Sequence, residues 1–146
     1  MTAHCRSLAF NGVDTVAVDV QAQISPGLPA FTVVGLPDKA IAESRERVRA
    51  AIHAMGLALP AKRITVNLAP ADLAKEGSHF DLPIACGVLT SMGILPQEEM
   101  MEYLIGGELS LDGTVLSISG VLPAAIGANA RNKGIICPVR NGQEAV

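Results

Sequence analysis

The segment TVAVDVQAQI, residues 15–24, decides the fold because its apolar and polar side chains alternate. Val, Ala or Ile occupies positions 16, 18, 20, 22 and 24. A period of two predicts a strand with one buried face and one polar face. Asn11-Gly12 precedes the segment and predicts a tight turn that joins it to SLAF, residues 7–10. The chain is therefore expected to begin with an antiparallel hairpin.

Working outward, breaks at Pro and Gly and changes of period predict the remaining elements. The expected elements are a strand at FTVVGL (31–36), a helix from Asp38 to Gly56, a strand at RITVNL (63–68), a helix from Asp81, a hairpin around Asp112-Gly113, a helix over 121–133 and a strand at IICPV (135–139). This order is typical of an α+β fold, in which helices pack mainly on one face of a mixed sheet.

Side-chain types refine the two longer helices. Asp38 and Asp81 are predicted to be N-caps, because their oxygens can accept hydrogen bonds from the free amides of the first turn. The first helix is expected to bury a stripe that contains Ile41, Val48, Ile52 and Met55. The second helix is apolar all round, which predicts that it is buried.

Composition limits the classes of function. The chain has 146 residues, 49% of them hydrophobic, which is enough for the core of a single domain over 1–146. A net charge of −3 argues against a free-standing, nonspecific nucleic-acid binder, because affinity for phosphates comes from clustered Lys and Arg. Aromatic residues make up only 3%, so base-stacking platforms are not expected.

The cysteines and the hydropathy pattern indicate a reducing compartment. Cys5, Cys86 and Cys137 are widely separated and odd in number, which predicts neither a disulfide framework nor a zinc site. No apolar run approaches the roughly 20 residues that span a bilayer, so no membrane contact and a cytoplasmic location are expected.

The charged loop before the buried helix, within residues 71–87, has the composition of a catalytic or phosphate-binding loop. It carries Lys75, Ser78, His79 and Asp81. The other histidines lie far from His79 in sequence and no partner has ligand spacing, so no metal site is predicted and His79 is interpreted as an ordinary loop histidine. Lys75 is interpreted as part of a solvated turn, and no phosphate-binding G-x-x-x-x-G-K-[ST] motif occurs.

Basic side chains around the first helix form the second candidate site. The residues are Arg45, Arg47, Arg49, Lys62 and Arg63. They are candidates for contact with a DNA backbone or a neighbouring subunit, and a purely solvated face is the alternative. Glu43 and Arg47 are expected to form an i,i+4 ion pair.

Three long segments carry a family resemblance over essentially the whole chain. They are GLPAFTVVGLPDKAIAESRERVRAAI (27–52), PAKRITVNLAPADLAKEGSHFDLPIA (60–85) and GGELSLDGTVLSISGVLPAAIGANARNKGIICPVRN (106–141). The first two resemble the N-terminal domain of the bacterial magnesium-chelatase-like AAA+ ATPases of the YifB/ComM type. The third is similar to the end of Lon-type proteolytic domains. The fold implied is the two-layer α/β sandwich that Lon proteolytic domains share with a ribosomal protein domain.

The resemblance to Lon implies a degenerate catalytic site. Lon proteases carry their nucleophile in Gly-Pro-Ser-Ala-Gly, which corresponds here to Gly77, Ser78, His79, Phe80 and Asp81, so His79 occupies the serine position. The position of Lon's catalytic lysine corresponds to Ala124. The resemblance therefore implies a noncatalytic domain. A peptidase that uses the displaced pair Ser78 and Lys75 is the alternative from the enzyme class.

For the intact protein, the family implies a hexameric, ATP-driven DNA motor that acts in branch migration during recombination and natural transformation. This chain would be a fragment that organises the ring and guides DNA, its partners being the protein's own AAA+ module, neighbouring subunits and DNA. ATP and magnesium are expected in the module that follows, and no cofactor in this chain. A regulatory domain of a true magnesium chelatase is the remaining alternative.

Overall fold

The computed structural model describes residues 2–11, 14–71, 73, 75, 77–116 and 134–137. Their strands are β1 (Thr2–Asn11), β2 (Asp14–Ser25), β3 (Ala30–Val34), β4 (Arg63–Ala69), β5 (Tyr103–Ile105), β6 (Glu108–Leu109), β7 (Val115–Leu116) and β8 (Gly134–Ile136). Their helices are α1 (Asp38–Ala54), α2 (Asp81–Ser91) and the short α3 (Gln97–Met100), with a 3-10 turn at Ser78–Phe80. The predicted helix over 121–133 lies outside the described residues.

The main sheet has six described strands in the order β3-β4-β2-β1-β5-β8. β1 and β2 pair antiparallel from Thr2 opposite Gln23 to Asn11 opposite Asp14, which confirms the predicted hairpin. β3 runs parallel to β4, and β5 runs parallel to both β1 and β8, so the sheet is mixed as predicted. β6 and β7 form a separate hairpin, as Asp112-Gly113 predicts.

One face of the sheet forms the core, because alternate residues of neighbouring strands lie on the same face. Cys5, Val20 and Leu68 form a row across β1, β2 and β4, and all three are fully buried. The opposite face is polar around Asp19, which accepts a hydrogen bond from Gln21 and pairs with Arg6 at 3.2 Å. Leu8 and Leu104 form a small second buried cluster on that face. The α+β fold with packed helices follows from this amphipathic sheet.

α1 and α2 cover the buried face. α2 packs closely on β2 at Gly87, where an added Cβ would lie 3.4 Å from the Cβ of Ala22. Nine of its positions are buried, from Asp81 through Thr90 with Leu82 excepted, which confirms the prediction from its apolar sequence. α1 buries Ser44, Val48, Ala51 and Ile52. The predicted placement of Met55 in this stripe was wrong, because Met55 follows the end of the helix and is 57% exposed.

Both predicted aspartate caps were wrong. Pro37 and Phe80 occupy the N-cap positions of α1 and α2, and neither helix has a side-chain cap hydrogen bond. Asp38 and Asp81 are the first helical residues instead, where a negative charge interacts favourably with the helix dipole. β5 and α3 were not predicted, because each is too short to show a clear period.

Candidate functional site

His79 lies in the 3-10 turn that leads into α2, and it is buried with 6% exposure. Its Nε2 lies 2.7 Å from the carbonyl oxygen of Leu8, so Nε2 carries the proton and donates it to that oxygen. The ring also packs against Phe10 and Phe80, at centroid distances of 5.1 and 4.1 Å. His79 therefore ties the loop to β1, and the interpretation as an ordinary loop histidine was wrong.

Burial lowers the pKa of His79, although its hydrogen bond to Leu8 and the charge of Asp81 oppose this shift. In the unfolded chain the histidine binds a proton near pH 6.5. Because the folded state holds the neutral form, its stability contribution is complete above pH 6.5 and is lost as pH falls towards the folded pKa. We therefore expect the free energy of unfolding to decrease below pH 6.5.

The measurement is urea unfolding at several pH values between 7 and 5, compared with His79→Gln. Glutamine keeps an N–H donor for Leu8 but does not titrate. The variant is expected to lose less stability over this pH range than the original chain. His4 and His53 remain in both proteins, so their contributions cancel in the comparison. Equal pH dependence in the two proteins would show that His79 makes no such contribution.

Lys75 is also buried, with 2% exposure. Its Nζ donates hydrogen bonds to the carbonyl oxygens of Pro70 and Leu73, the second at 2.9 Å. The prediction of a solvated turn was therefore wrong for this residue. Two carbonyl acceptors stabilise the charged ammonium, whereas a general base must be free to accept a proton. Ser78 is partly exposed, and its role as a nucleophile stays a prediction.

Gly77 completes the turn next to His79. Its φ of +104° lies in the region that favours glycine, and an added Cβ would lie 2.7 Å from Nδ1 of His79. The loop backbone thus passes so close to the histidine ring that no room is left for a Cβ at this position. Ala124, which the Lon resemblance places at the lysine position, lies outside the described residues.

Asp81 is the centre of a buried polar network rather than a cap. It is fully buried and accepts hydrogen bonds from Oγ of Ser44 at 2.6 Å and from the backbone N–H of Leu109 at 3.1 Å. The guanidinium of Arg47 binds both carboxylate oxygens, with Nε 2.6 Å from Oδ2 and Nη2 3.1 Å from Oδ1. This bidentate geometry is the strongest form of such a pair. Asp81 therefore joins α1, α2 and β6.

The hydrogen bond that Arg47 donates to Asp81 is the main reason that the pKa of Arg47 is raised, so the guanidinium stays charged. Sequence reasoning missed this network. One signal was available, since Ser44 lies four residues before Val48 on the buried stripe of α1 and must find a polar partner there. The predicted i,i+4 pair is confirmed, with Arg47 3.8 Å from Glu43.

The structure separates the basic candidates into different environments. Arg47 is held by Asp81, while Nη1 of Arg45 lies 3.4 Å from the carbonyl oxygen of Phe31. Arg49 is exposed, with its guanidinium carbon 6.0 Å from the centre of the Phe31 ring. Lys62 and Arg63 are exposed at the start of β4. The four side chains other than Arg47 lie at the β3 edge of the sheet.

An open groove of about 540 Å³ lies at this edge, and we call it the basic groove. Buried Phe31 and Ile64 form part of its lining. Its charged or titratable residues are Glu46, Arg49, His53 and Lys62. The rest of the lining is contributed by Pro29, Ala30, Ala50, Leu57, Ala58, Leu59, Pro60 and Ala61. A largely apolar groove with a few charged groups is typical of a binding surface.

Two buried thiols near the core are chemically inert. Burial raises the pKa of Cys5 to about 11 and that of Cys86 to about 12. Thiolates are the reactive form, so neither thiol acts as a nucleophile near neutral pH. The described residues contain no cluster of three His, Cys, Asp or Glu side chains that could hold a metal ion. No helix in this part of the chain is long and apolar enough to cross a membrane.

Comparison with known proteins identifies the family of this chain. A family model described as subunit ChlI of Mg-chelatase matches residues 20–141. Competence protein ComM of Haemophilus influenzae is 42% identical over 139 residues, which cover 95% of this chain and 27% of that protein. YifB of Escherichia coli is 43% identical over 133 residues, which cover 91% of this chain and 26% of that protein.

The chain thus spans about a quarter of the length of the curated relatives it matches. The family match covers most of the chain and includes both the buried Asp81 network and the basic groove. The chain therefore belongs to the family of subunit ChlI of Mg-chelatase, as a magnesium-chelatase-like member of the ComM/YifB type.

Proposed function

We propose that this chain is a noncatalytic domain of an ATP-dependent ring that moves DNA, and that the domain organises the ring. The observation that carries the proposal is its 42% identity to the competence protein ComM over 95% of the chain. A Lon-like two-layer sandwich is the specific fold class that we propose for it. ATP and magnesium act in a separate module of the intact protein, in the cytoplasm.

Three side chains near the loop support a noncatalytic role. His79 occupies the position that the Lon resemblance assigns to a nucleophile, yet its N–H is bound to Leu8. The amine of Lys75 donates to two carbonyls, and Asp81 is enclosed by Ser44 and Arg47. Each of these groups stabilises the fold. A peptidase that uses Ser78 would lose its activity in Ser78→Ala, so unchanged cleavage in that variant excludes it.

The first test measures ATP hydrolysis and DNA movement by the full-length protein. The full-length protein is expected to hydrolyse ATP and to drive branch migration of a synthetic four-way DNA junction. Replacement of ATP by a nonhydrolysable analogue should stop the migration. A full-length protein that binds neither ATP nor DNA would contradict the proposal.

The 146-residue chain alone is expected to bind DNA weakly, because its net charge is −3 and its aromatic residues are scarce. We expect a dissociation constant above about 1 μM at physiological salt. A fluorescence anisotropy titration with a labelled duplex measures it, and the full-length protein serves as the positive control. Submicromolar binding by the chain would assign the DNA contact to this domain.

The name of the matching family favours a second candidate function, a regulatory domain of a true magnesium chelatase. In that case the full-length protein would support insertion of magnesium into a porphyrin when partner subunits are present. Genes for such subunits would be expected near the gene for this protein. Branch migration without any effect on magnesium insertion would exclude this candidate.

A further inference from the structure

Charge is segregated along this chain. Residues 39–63 contain Lys39, Arg45, Arg47, Arg49, Lys62 and Arg63. From residue 64 to residue 116 the only Lys or Arg is Lys75, which is buried. Most of these cations lie on α1 and at the start of β4.

We give the name acidic patch to the surface that contains Glu98, Glu99, Glu102 and Ile94. All three glutamates are exposed, and no ion pair within the described part of the chain involves them. Ile94 is 45% exposed and lies three residues before Gln97, the first residue of α3. The patch is therefore acidic with an apolar residue at its side.

The acidic patch is rigidly placed. Gln97, which begins α3, accepts a hydrogen bond from the backbone N–H of His4 at 2.7 Å and donates one to its carbonyl oxygen at 2.8 Å. Glu102 leads directly into β5, and Leu104 of that strand pairs with Arg6. The patch is thus fixed beside the starts of β1 and β5.

The basic groove lies at the same ends of the strands but nearer the β3 edge of the sheet. Its Lys62 also lines a smaller pocket with Ser91 and Met92, which precede Ile94, so the groove and the patch are neighbouring surfaces. Arg63 at the start of β4 pairs with Ser25, and the neighbouring Gln23 pairs with Thr2 at the start of β1. The sheet order puts four strand spacings between β3 and β5, which corresponds to about 19 Å. No ion pair joins the two surfaces within the described part of the molecule, so their charges remain available to another copy.

We propose that the basic groove binds the acidic patch of a second copy of this chain. Arg49 and Lys62 would face Glu98 and Glu99, and Ile94 would enter the apolar lining of the groove. Because the two surfaces are different, such a contact is head-to-tail, and it generates a ring when the rotation closes. The ring itself rests on the proposed function.

The composition of the groove favours this occupant over nucleic acid. Much of the lining is Ala, Leu and Pro, and Glu46 lies among the cations. A phosphate backbone would gain nothing from the apolar lining. An apolar residue flanked by carboxylates matches both parts of the groove.

The test uses two charge-reversed variants of the 146-residue chain. In the first, Arg49→Glu and Lys62→Glu reverse the groove; in the second, Glu98→Lys and Glu99→Lys reverse the patch. Sedimentation velocity at low salt measures self-association without ATP or DNA, and circular dichroism checks folding. Each variant alone presents like charges to itself, so its association should be weaker by about tenfold or more.

An equal mixture of the two variants should restore association, because each surface then meets its opposite charge. Only a contact between groove and patch predicts this rescue. A matched control uses the same substitution on the other surface: Glu46→Lys removes the negative charge from the groove and should strengthen association, whereas Glu98→Lys weakens it. Added salt should reduce every one of these effects.

A chain that stays monomeric at the highest attainable concentration in low salt would overturn the proposal, and so would a mixture that fails to associate. Loss of DNA binding in the groove variant, with unchanged self-association, would assign the groove to nucleic acid instead. Because neither ATP nor DNA is needed, failure here leaves the proposed motor function untouched, and failure of the motor assay leaves the contact untouched.

Discussion

Replacing Asp81 with alanine is expected to lower the free energy of unfolding by about 3–5 kcal/mol. The substitution leaves the guanidinium of Arg47, the hydroxyl of Ser44 and the N–H of Leu109 without their buried acceptor. The guanidinium then retains only Glu43, at 3.8 Å, and buried donors left without an acceptor cost more than the pair contributes in net terms. Urea unfolding followed by circular dichroism measures the change.

Glu43→Ala is the matched control for that experiment. Glu43 also pairs with Arg47, but at 3.8 Å and with a half-exposed carboxylate, so its removal should cost less than about 0.5 kcal/mol. Arg47→Met tests the network from the other side, because it removes the cation and keeps an unbranched side chain. Equal, small effects for Asp81→Ala and Glu43→Ala would contradict the network as a source of stability.

Gly35→Ala is expected to destabilise the chain by at least about 3 kcal/mol. Gly35 has φ of +105°, and an added Cβ would lie 2.5 Å from the carbonyl oxygen of Leu68 and 3.1 Å from its Cβ. β4 is a central strand, so that oxygen cannot move without disturbing the sheet. The same unfolding assay measures the loss.

Gly56→Ala provides the matched comparison, since Gly56 also has a positive φ, of +79°, but no atom lies within 4 Å of the added Cβ. Only backbone strain applies there, and a loss of about 1–2 kcal/mol is expected. The difference between the two variants isolates the clash with Leu68. Equal losses would mean that the close approach at Gly35 has no energetic consequence.

Much of the fold could be predicted because β1, β2 and β4 carry clear alternation and Asp112-Gly113 is a strong turn signal. Both signals, the alternation and the turn, depend on residues that are close together in sequence. β5 could not be predicted, because three residues show no period and its pairing with Arg6 is set nearly 100 residues away.

The candidate site was harder to predict, because its contacts join residues that lie far apart in sequence. Asp81 at the start of a helix looks like a cap, and only the tertiary structure brings Ser44 and Arg47 to it. Lys75 looks like a surface residue, since lysine is almost never fully buried without partners, and its acceptors are backbone carbonyls that sequence does not display. The sequence shows which residues carry a charge, but it does not show which of these residues are exposed.

The parallel pairing of β1 with β5 has a consequence during synthesis. β1 leaves the ribosome well before β5, because Ile105, whose carbonyl oxygen accepts a hydrogen bond from the hydroxyl of Ser7, is made about a hundred residues later. At elongation rates of about 5–20 residues per second this interval lasts roughly 5–20 s. Throughout it, the nascent β1–β2 hairpin exposes an unpaired edge that another chain can bind. We therefore expect that slower translation up to residue 105 lengthens the time during which this edge can pair with another chain.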